Sequence, residues 1–184
     1  MPAKNASRYV FLGLLDWEPM SGYDIKKVVE HNIRDFWHES YGTIYPTLKK
    51  FVAEGLAEKT VERQEGRPDR VVYRITPAGK QELLEWLKQP VEVRRARDEL
   101  LAKFIFGYLV SKKTNIEQVD KYRREREERL QWYREMETLL KKTRLRSRKK
   151  LLEYLTLRQG VHMLEARLDW CDEVLTALRK YRGD

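Results

Sequence analysis

The chain has 184 residues, 41% hydrophobic and 36% charged, with a formal net charge of +9. That suffices for one large domain or two small ones, but no apolar run is long enough to cross a bilayer, and Phe11 to Leu15 is too short for a signal peptide. One cysteine excludes an intramolecular disulfide, and one cysteine with three histidines is too few for a zinc site; a reduced, cytoplasmic chain with no metal and no cofactor is expected.

The positive charge is unevenly placed. Residues 1–90 hold 14 Lys and Arg against 13 Asp and Glu; residues 91–184 hold 24 against 16. A nucleic-acid reading of the first half must therefore rest on where single charges sit, not on their total.

Ser7 to Trp17 carries Val10, Phe11, Leu14 and Leu15 on one side and predicts a first helix. Glu18-Pro19-Met20 breaks it. Ser21-Gly22-Tyr23-Asp24 has a hydroxyl followed three residues on by a carboxylate, a capping-box pattern. It predicts a second helix, to about Asn32, that buries Tyr23, Ile25, Val28 and Val29. The N–H groups at its start, with Ser21, can seat a phosphate; equally, the box can simply cap the helix. Arg34 to Ser40 is a connection whose Phe36 and Trp37 plug the gap between helices.

Ser40 to Thr76 organises the rest. Ile44, Leu48, Phe51 and Val52 recur at helical spacing, with Thr43, Pro46, Thr47 and Lys50 on the opposite face. Hydroxyls and cations on one helix face can meet phosphates and base edges in a major groove. Tyr41 and Tyr45 lie toward the core flank, within reach of the sugar–phosphate backbone. Pro46 disfavours helix at Tyr45, so a start near Thr43 is expected, and Gly55 ends the helix. Leu56 to Glu62 and Val71 to Ile75 read as strands joined by the turn Gly66-Arg67-Pro68-Asp69. Arg67 at the tip, with Arg63, Arg70 and Arg74 nearby, suits a minor groove or a phosphate row. Helix then arginine-bearing hairpin is the order of a DNA-reading helix and its wing. The candidate contact set is Ser21, Tyr23, Tyr41, Thr43, Tyr45, Pro46, Thr47, Lys49, Lys50, Arg67 and Arg70.

Thr76-Pro77 is an N-cap with proline at the first helical position, opening a fourth helix through Leu83, Leu84 and Leu87 that Gln89-Pro90 stops. Residues 1–90 thus read as a winged helix and 91–99 as a linker. Leu100 to Val110 reads as one apolar helix, and Thr114 or Asn115 as the cap of a long helix to about Leu140. The centre of that helix, Arg123 to Arg129, is charged all round. The run KKTRLRSRKK (141–150) follows, either a solvated tip or a contact to DNA flanks. In the last helix Leu151, Tyr154, Leu157, Val161, Leu164, Leu168, Cys171, Leu175 and Leu178 recur at three- and four-residue spacing. The preceding helix is too polar in its middle to cover this seam fully, so a second copy of the chain is expected on Leu157, Val161, Leu164, Leu168, Cys171, Leu175 and Leu178. The fold class is mostly α: an N-terminal winged helix-turn-helix, then at 100–184 a helical dimerisation domain of long antiparallel helices. A thiol at a heptad core position is inert. No nucleophile–base pair, glycine-rich phosphate loop or metal cluster is visible, so the chain does not read as an enzyme.

SYGTIYPTLKK, EGLAEK and GRPDRVVYRITPAGKQELLEWL, in this order, resemble the PadR family of bacterial transcriptional regulators over residues 8–88. The second half resembles the Vir-type C-terminal domain of the longer PadR subfamily. The resemblance implies a homodimeric repressor on palindromic double-stranded DNA, released by a small, in some members aromatic, effector. It also implies an effector site near the junction of the two halves or between protomers; near the junction Phe11, Trp17, Phe104 and Tyr108 are candidates beside ordinary core roles. The rival reading is a winged helix that binds protein or RNA without operator specificity.

Overall fold

The first helix sets the core of the N-terminal half. In the computed structural model, which describes residues 6–37, 39–63, 66, 69–91, 98–142 and 147–183, α1 spans Ala6–Trp17 and buries Phe11, Leu12, Leu14 and Leu15. The chain divides into two units, Met1–Val93 and Arg94–Asp184. Of the linker expected at 91–99, residues 92–97 lie outside the described residues.

In the first unit, α1 is followed by a two-residue strand β1 (Met20–Ser21), α2 (Gly22–Val28) with a π-helical turn at Val29–Ile33, and α3 (Tyr41–Ala53). Then come β2 (Ala57–Glu62), β3 (Arg70–Ile75) and α4 (Pro77–Leu87). Three antiparallel strands lie in the order β1-β3-β2, with Tyr73 opposite both Met20 and Lys59. This is a winged helix. Phe11, Leu12, Ile25, Ile44, Leu48 and Phe51 have no exposed surface and form its centre. Each such side chain contributes roughly 1.5–3 kcal/mol relative to exposure. The caps stand where the sequence places them: Ser21 and Asp24 form a reciprocal capping box, and Thr76 caps α4 with Pro77 next to it.

Two details differ from expectation. α3 begins at Tyr41, two residues before Thr43, with Pro46 inside it. Proline forfeits one backbone bond and crowds the carbonyl four residues earlier, here that of a glycine, Gly42; the complete burial of Ile44 and Leu48 outweighs that local cost. Tyr23 is exposed rather than buried, with the Lys27 ammonium 4.6 Å from its ring centre. Leu84 and Leu87 are likewise exposed, while Leu83 carries the burial of α4.

The second unit holds α5 (Glu99–Ile105), a 3-10 turn at Gly107–Leu109, α6 (Lys112–Lys142) and α7 (Arg148–Lys180). The apolar stretch expected as one helix over 100–110 stops at Ile105, and none of the α5 residues is buried. Asn115 Nδ2 donates to the Gly107 carbonyl at 2.9 Å, holding the 3-10 turn on the start of α6. The Ser111 hydroxyl, not Thr114 or Asn115, accepts from the backbone N–H three residues on.

α6 and α7 run antiparallel: Asp120 meets Arg179, Arg123 meets Asp172, Arg134 meets Glu165, and Glu137 meets Arg158. Leu130 and Tyr133 pack with Val161 and Leu164, and Val119 packs with Cys171 and Leu175. The seam of α7 is therefore covered in part within its own chain, at four of the seven positions expected to meet a second copy. Val161, Leu164, Cys171 and Leu175 are buried, while Leu157, Leu168 and Leu178 are half-buried. The polar middle of α6 can cover the seam because Arg129 turns inward, its guanidinium 4.0 Å from the Trp132 ring centre and 5.0 Å from that of Tyr133.

Candidate nucleic-acid interface

α3 has two chemically distinct faces. Ile44, Leu48 and Phe51 point into the core without exposed surface; Tyr45, Pro46, Lys49 and Lys50 are exposed and Thr43 and Thr47 half-exposed. The outer face thus offers hydroxyls, one phenol and two cations on a rigid rod about 20 Å long. The Thr47 hydroxyl donates to the Thr43 carbonyl at 2.6 Å, and the Ser40 and Thr43 hydroxyls lie 3.3 Å apart. Lys50 lies 3.7 Å from Glu54 and is largely exposed, so that pair constrains it little. The Tyr41 side chain lies outside the described residues, as do Arg67 and Pro68 at the wing turn.

Two devices fix α3 in place. At its C-terminal end Arg8 donates to both oxygens of Glu82 at 2.6 and 3.1 Å, pairs with Glu54 at 2.5 Å, and lies over the Phe51 ring. Those carboxylates, Glu82 first, hold the Arg8 guanidinium protonated far above its ordinary range. Near its N-terminal end, Tyr45 packs on Gly22, where a side-chain carbon would sit 2.6 Å from the tyrosine ring. Only glycine admits that approach. Burial, and then the neighbouring Tyr45 hydroxyl, push the Tyr73 phenol up.

The start of α2 is a closed network. The Asp24 carboxylate accepts from the Ser21 N–H at 2.8 Å, from the Ser21 hydroxyl at 2.6 Å, and from Arg70 of the wing. Burial alone would raise the Asp24 carboxyl; the Ser21 and Arg70 hydrogen bonds outweigh it and hold it below the usual carboxylate range. Arg70 also lies 3.6 Å from Glu62, its cross-strand partner. Two candidate contacts are thereby redirected. Ser21 is buried with both donors facing Asp24, so the expected phosphate seat is filled by the chain's own carboxylate. Arg70 faces Asp24 and Glu62 rather than a free surface. The sequence showed the capping box but not that its carboxylate has a third partner 46 residues away. Lys59, Arg63 and Arg74 remain exposed on the wing.

The residues considered for an effector divide between the two units. Phe11 has no exposed surface and cannot meet a ligand. Trp17 is half-exposed at the end of α1. Phe104 sits edge-on to Trp170 at 5.9 Å, and Tyr108 is exposed. Within the second unit, α5, α6 and α7 border an open cleft of about 280 Å³ lined by Leu100, Leu101, Tyr122, Met163, Trp170 and the ion pair of Asp98 with Arg167, 3.3 Å apart. Tyr122, Arg167 and Trp170 escaped the sequence reading because they come from two long helices whose pairing the sequence does not give. Cys171 is fully buried, and burial pushes its thiol up. No helix among the described residues is long and apolar enough to cross a membrane.

Residues 11–85 match the transcriptional regulator PadR-like family, and residues 96–179 match the virulence activator alpha C-term family. A probable transcriptional regulator of Mycobacterium tuberculosis, Rv1176c, is 32% identical over 177 residues, covering 88% of this chain and 92% of that protein. The crystal structure of Bacillus subtilis PadR in complex with operator DNA superposes with a TM-score of 0.85 at 25% identity, covering 96% of this chain and 99% of that one. The same protein in complex with p-coumaric acid gives a TM-score of 0.71 at 25% identity, covering 94% of this chain and 98% of that one.

Proposed function

Because this chain belongs to the PadR-like family of transcriptional regulators, we propose that it is a homodimeric repressor in the cytoplasm. It binds a palindromic operator through α3 and the wing and is released by a small, aromatic effector. The family is one of regulators, not of enzymes. The observation that carries the reading is the outer face of α3: Thr43, Tyr45, Pro46, Thr47, Lys49 and Lys50 gathered on one side of a helix whose other side is wholly buried. A face this wide fits a major groove, with the lysines on phosphates and the hydroxyls toward base edges. The likeness to a relative bound to operator DNA, over nearly the whole chain, supports it.

Dimerisation is assigned to a different surface from the α7 seam. Ile105, Phe106, Tyr108 and Leu109 are between 60% and 80% exposed, close in sequence on either side of Gly107, and apolar. A contiguous patch of this kind marks an association surface. Two winged helices related by a two-fold axis read two half-sites, and their binding free energies combine. For the effector, the relative's complex with p-coumaric acid supports an aromatic ligand, and the cleft beside Tyr122 and Trp170 offers rings to hold one, with Arg167 there paired to Asp98.

The test is a binding titration against the duplex enriched by the chain from a randomised pool, at several salt concentrations. Steep salt dependence with preference for one palindrome is expected. Equal affinity for every duplex would leave the rival protein- or RNA-binding reading standing.

A further inference from the structure

We propose that Asp24 is a positioning residue for DNA recognition: it latches the distal end of the wing to the start of α2 through Arg70, and so sets the wing against α3. The inference rests on the DNA-binding reading above.

The wing is a two-stranded hairpin, which is marginal unless something holds it. Its inner strand is held at one end by β1, whose pairing with β3 covers Tyr73 and Val72 and stops there. Two residues nearer the tip, Arg70 reaches back to Asp24 and across to Glu62 of β2. From the Ala57–Ile75 base to the Glu62–Arg70 pair is five residue steps, about 17 Å at ~3.3 Å per residue. A restraint that far from the base limits swing of the wing far better than one at the base. The other end of the latch does not move freely. Asp24 is locked by the two Ser21 hydrogen bonds, and the adjacent Gly22 carries the Tyr45 ring of α3 on its backbone. One short stretch, Ser21 to Asp24, therefore references both DNA-facing elements.

Charge makes the idea testable by sign. A carboxylate near DNA repels phosphates, so its removal by charge alone tightens binding. A latch works the other way: its removal frees the wing and weakens recognition.

The experiment compares wild type with Asp24→Asn, Arg70→Gln and Arg70→Lys in the full chain. The probes are the duplex enriched from the randomised pool and a randomised duplex of equal length. Asp24→Asn and Arg70→Gln are each expected to lose roughly three- to tenfold in affinity for the enriched duplex, the scale of one partly exposed ion pair, at an unchanged salt slope. Affinity for the randomised duplex should hold or rise. Arg70→Lys, which keeps a cation within reach of Asp24, should retain most of the affinity. Equal or tighter binding of the enriched duplex by Asp24→Asn overturns the proposal. So does a salt slope that falls by about 0.9 per protomer, about 1.8 for the dimer, in Arg70→Gln, which would make Arg70 a phosphate contact. Amide exchange without DNA gives an independent arm: Asp24→Asn should speed exchange at Glu62, Arg70 and Val71 while α1 and α4 stay protected. Unchanged exchange there overturns the latch whether or not the chain binds DNA. Failure of wild type to prefer any duplex removes the DNA-binding reading instead, and the exchange arm still decides the latch.

Discussion

Arg8 on α1 grips Glu82 on α4 in a fork, Nε at 2.6 Å and Nη2 at 3.1 Å, while the same guanidinium pairs with Glu54 at the end of α3. One side chain thus ties the end of the proposed recognition helix to the two helices behind it. The Arg8 and Glu82 side chains are mostly shielded; Glu54 is more exposed and adds less. Arg8→Ala should destabilise the winged-helix unit by roughly 1–3 kcal/mol, since it removes charged hydrogen bonds and strands Glu82. That corresponds to a melting temperature several degrees lower. Arg8→Lys should recover little, because an ammonium cannot make the two-pronged contact. Thermal melts of the three proteins check this; a lysine variant as stable as wild type would show that charge alone suffices.

Gly160 sits in the middle of α7, where alanine would ordinarily favour the helix by about 1 kcal/mol. A side-chain carbon there would run into the ring of Tyr133, itself buried and edge-on to Trp132 at 5.2 Å. The ring has nowhere to retreat, so overpacking wins. Gly160→Ala should cost about 1–3 kcal/mol rather than stabilise. Adding Tyr133→Leu should cancel most of the clash. Urea melts of the single and double variants decide it, and a stabilised Gly160→Ala would mean that the two helices are less tightly apposed.

The pattern of these residues shows what a sequence can reveal. The caps at Ser21 and Thr76, the inward face of α3 and the helix-then-hairpin order depend on neighbours a few residues away, and all were legible. β1 was not, because Met20-Ser21 has no alternation and becomes a strand only by pairing with β3. The reach of Asp24 to Arg70 and of Arg8 to Glu54 and Glu82 spans dozens of residues, and charged side chains look alike whether paired or solvated. The α7 seam was legible as apolar, but how much of it α6 covers was not. What covers a seam depends on the facing helix, and a polar-looking arginine, Arg129, lies flat over aromatic rings there. The wing tip at Arg67 lies outside the described residues.

Lys49 and Lys50 are neighbours on the outer face of α3, both exposed. Under the proposed mode each neutralises a phosphate. Replacing one with alanine removes one contact from each protomer and should lower the slope of log affinity against log salt by about 1.8 for the dimer, with affinity falling for all duplexes alike. Folding should be untouched, since the Lys50–Glu54 pair is solvent-exposed. Salt titrations by fluorescence anisotropy give the slopes. A variant with the wild-type slope removes that lysine from the phosphate set.

Two substitutions of similar chemistry should fail in different ways. Leu164 is buried between α6 and α7 of one chain, so Leu164→Glu should unfold the helical unit, at a cost of several kcal/mol. Phe106 is exposed on the patch assigned to dimerisation, so Phe106→Glu should leave the helical content intact and yield monomers. Sedimentation with circular dichroism separates the cases. Folded monomers from Leu164→Glu, or intact dimers from Phe106→Glu, would move the interface back to the α7 seam.

Glu137 makes the helical hairpin sensitive to acid. Its carboxylate is almost buried and meets Lys141 at 2.9 Å, Arg158 at 3.2 Å and the Tyr154 hydroxyl at 3.2 Å. The Lys141 hydrogen bond first, then the other cations and the tyrosine, hold the carboxyl below its ordinary range against the opposing effect of burial. A carboxyl depressed in the folded state contributes its full stability above its unfolded value, about 4.3 for glutamate, and loses it as pH falls through the lower folded value. Wild type should therefore lose stability on acidification below about pH 4.3 more steeply than Glu137→Gln, which lacks the titrating group. At neutral pH the variant should be the weaker of the two, with Arg158 left facing an uncharged amide. The curves should converge near the bottom of the range, where wild-type Glu137 is also uncharged. Urea midpoints measured from pH 7 to pH 2.5 test the crossing of slopes; parallel curves would mean that the cluster contributes nothing specific to acid stability.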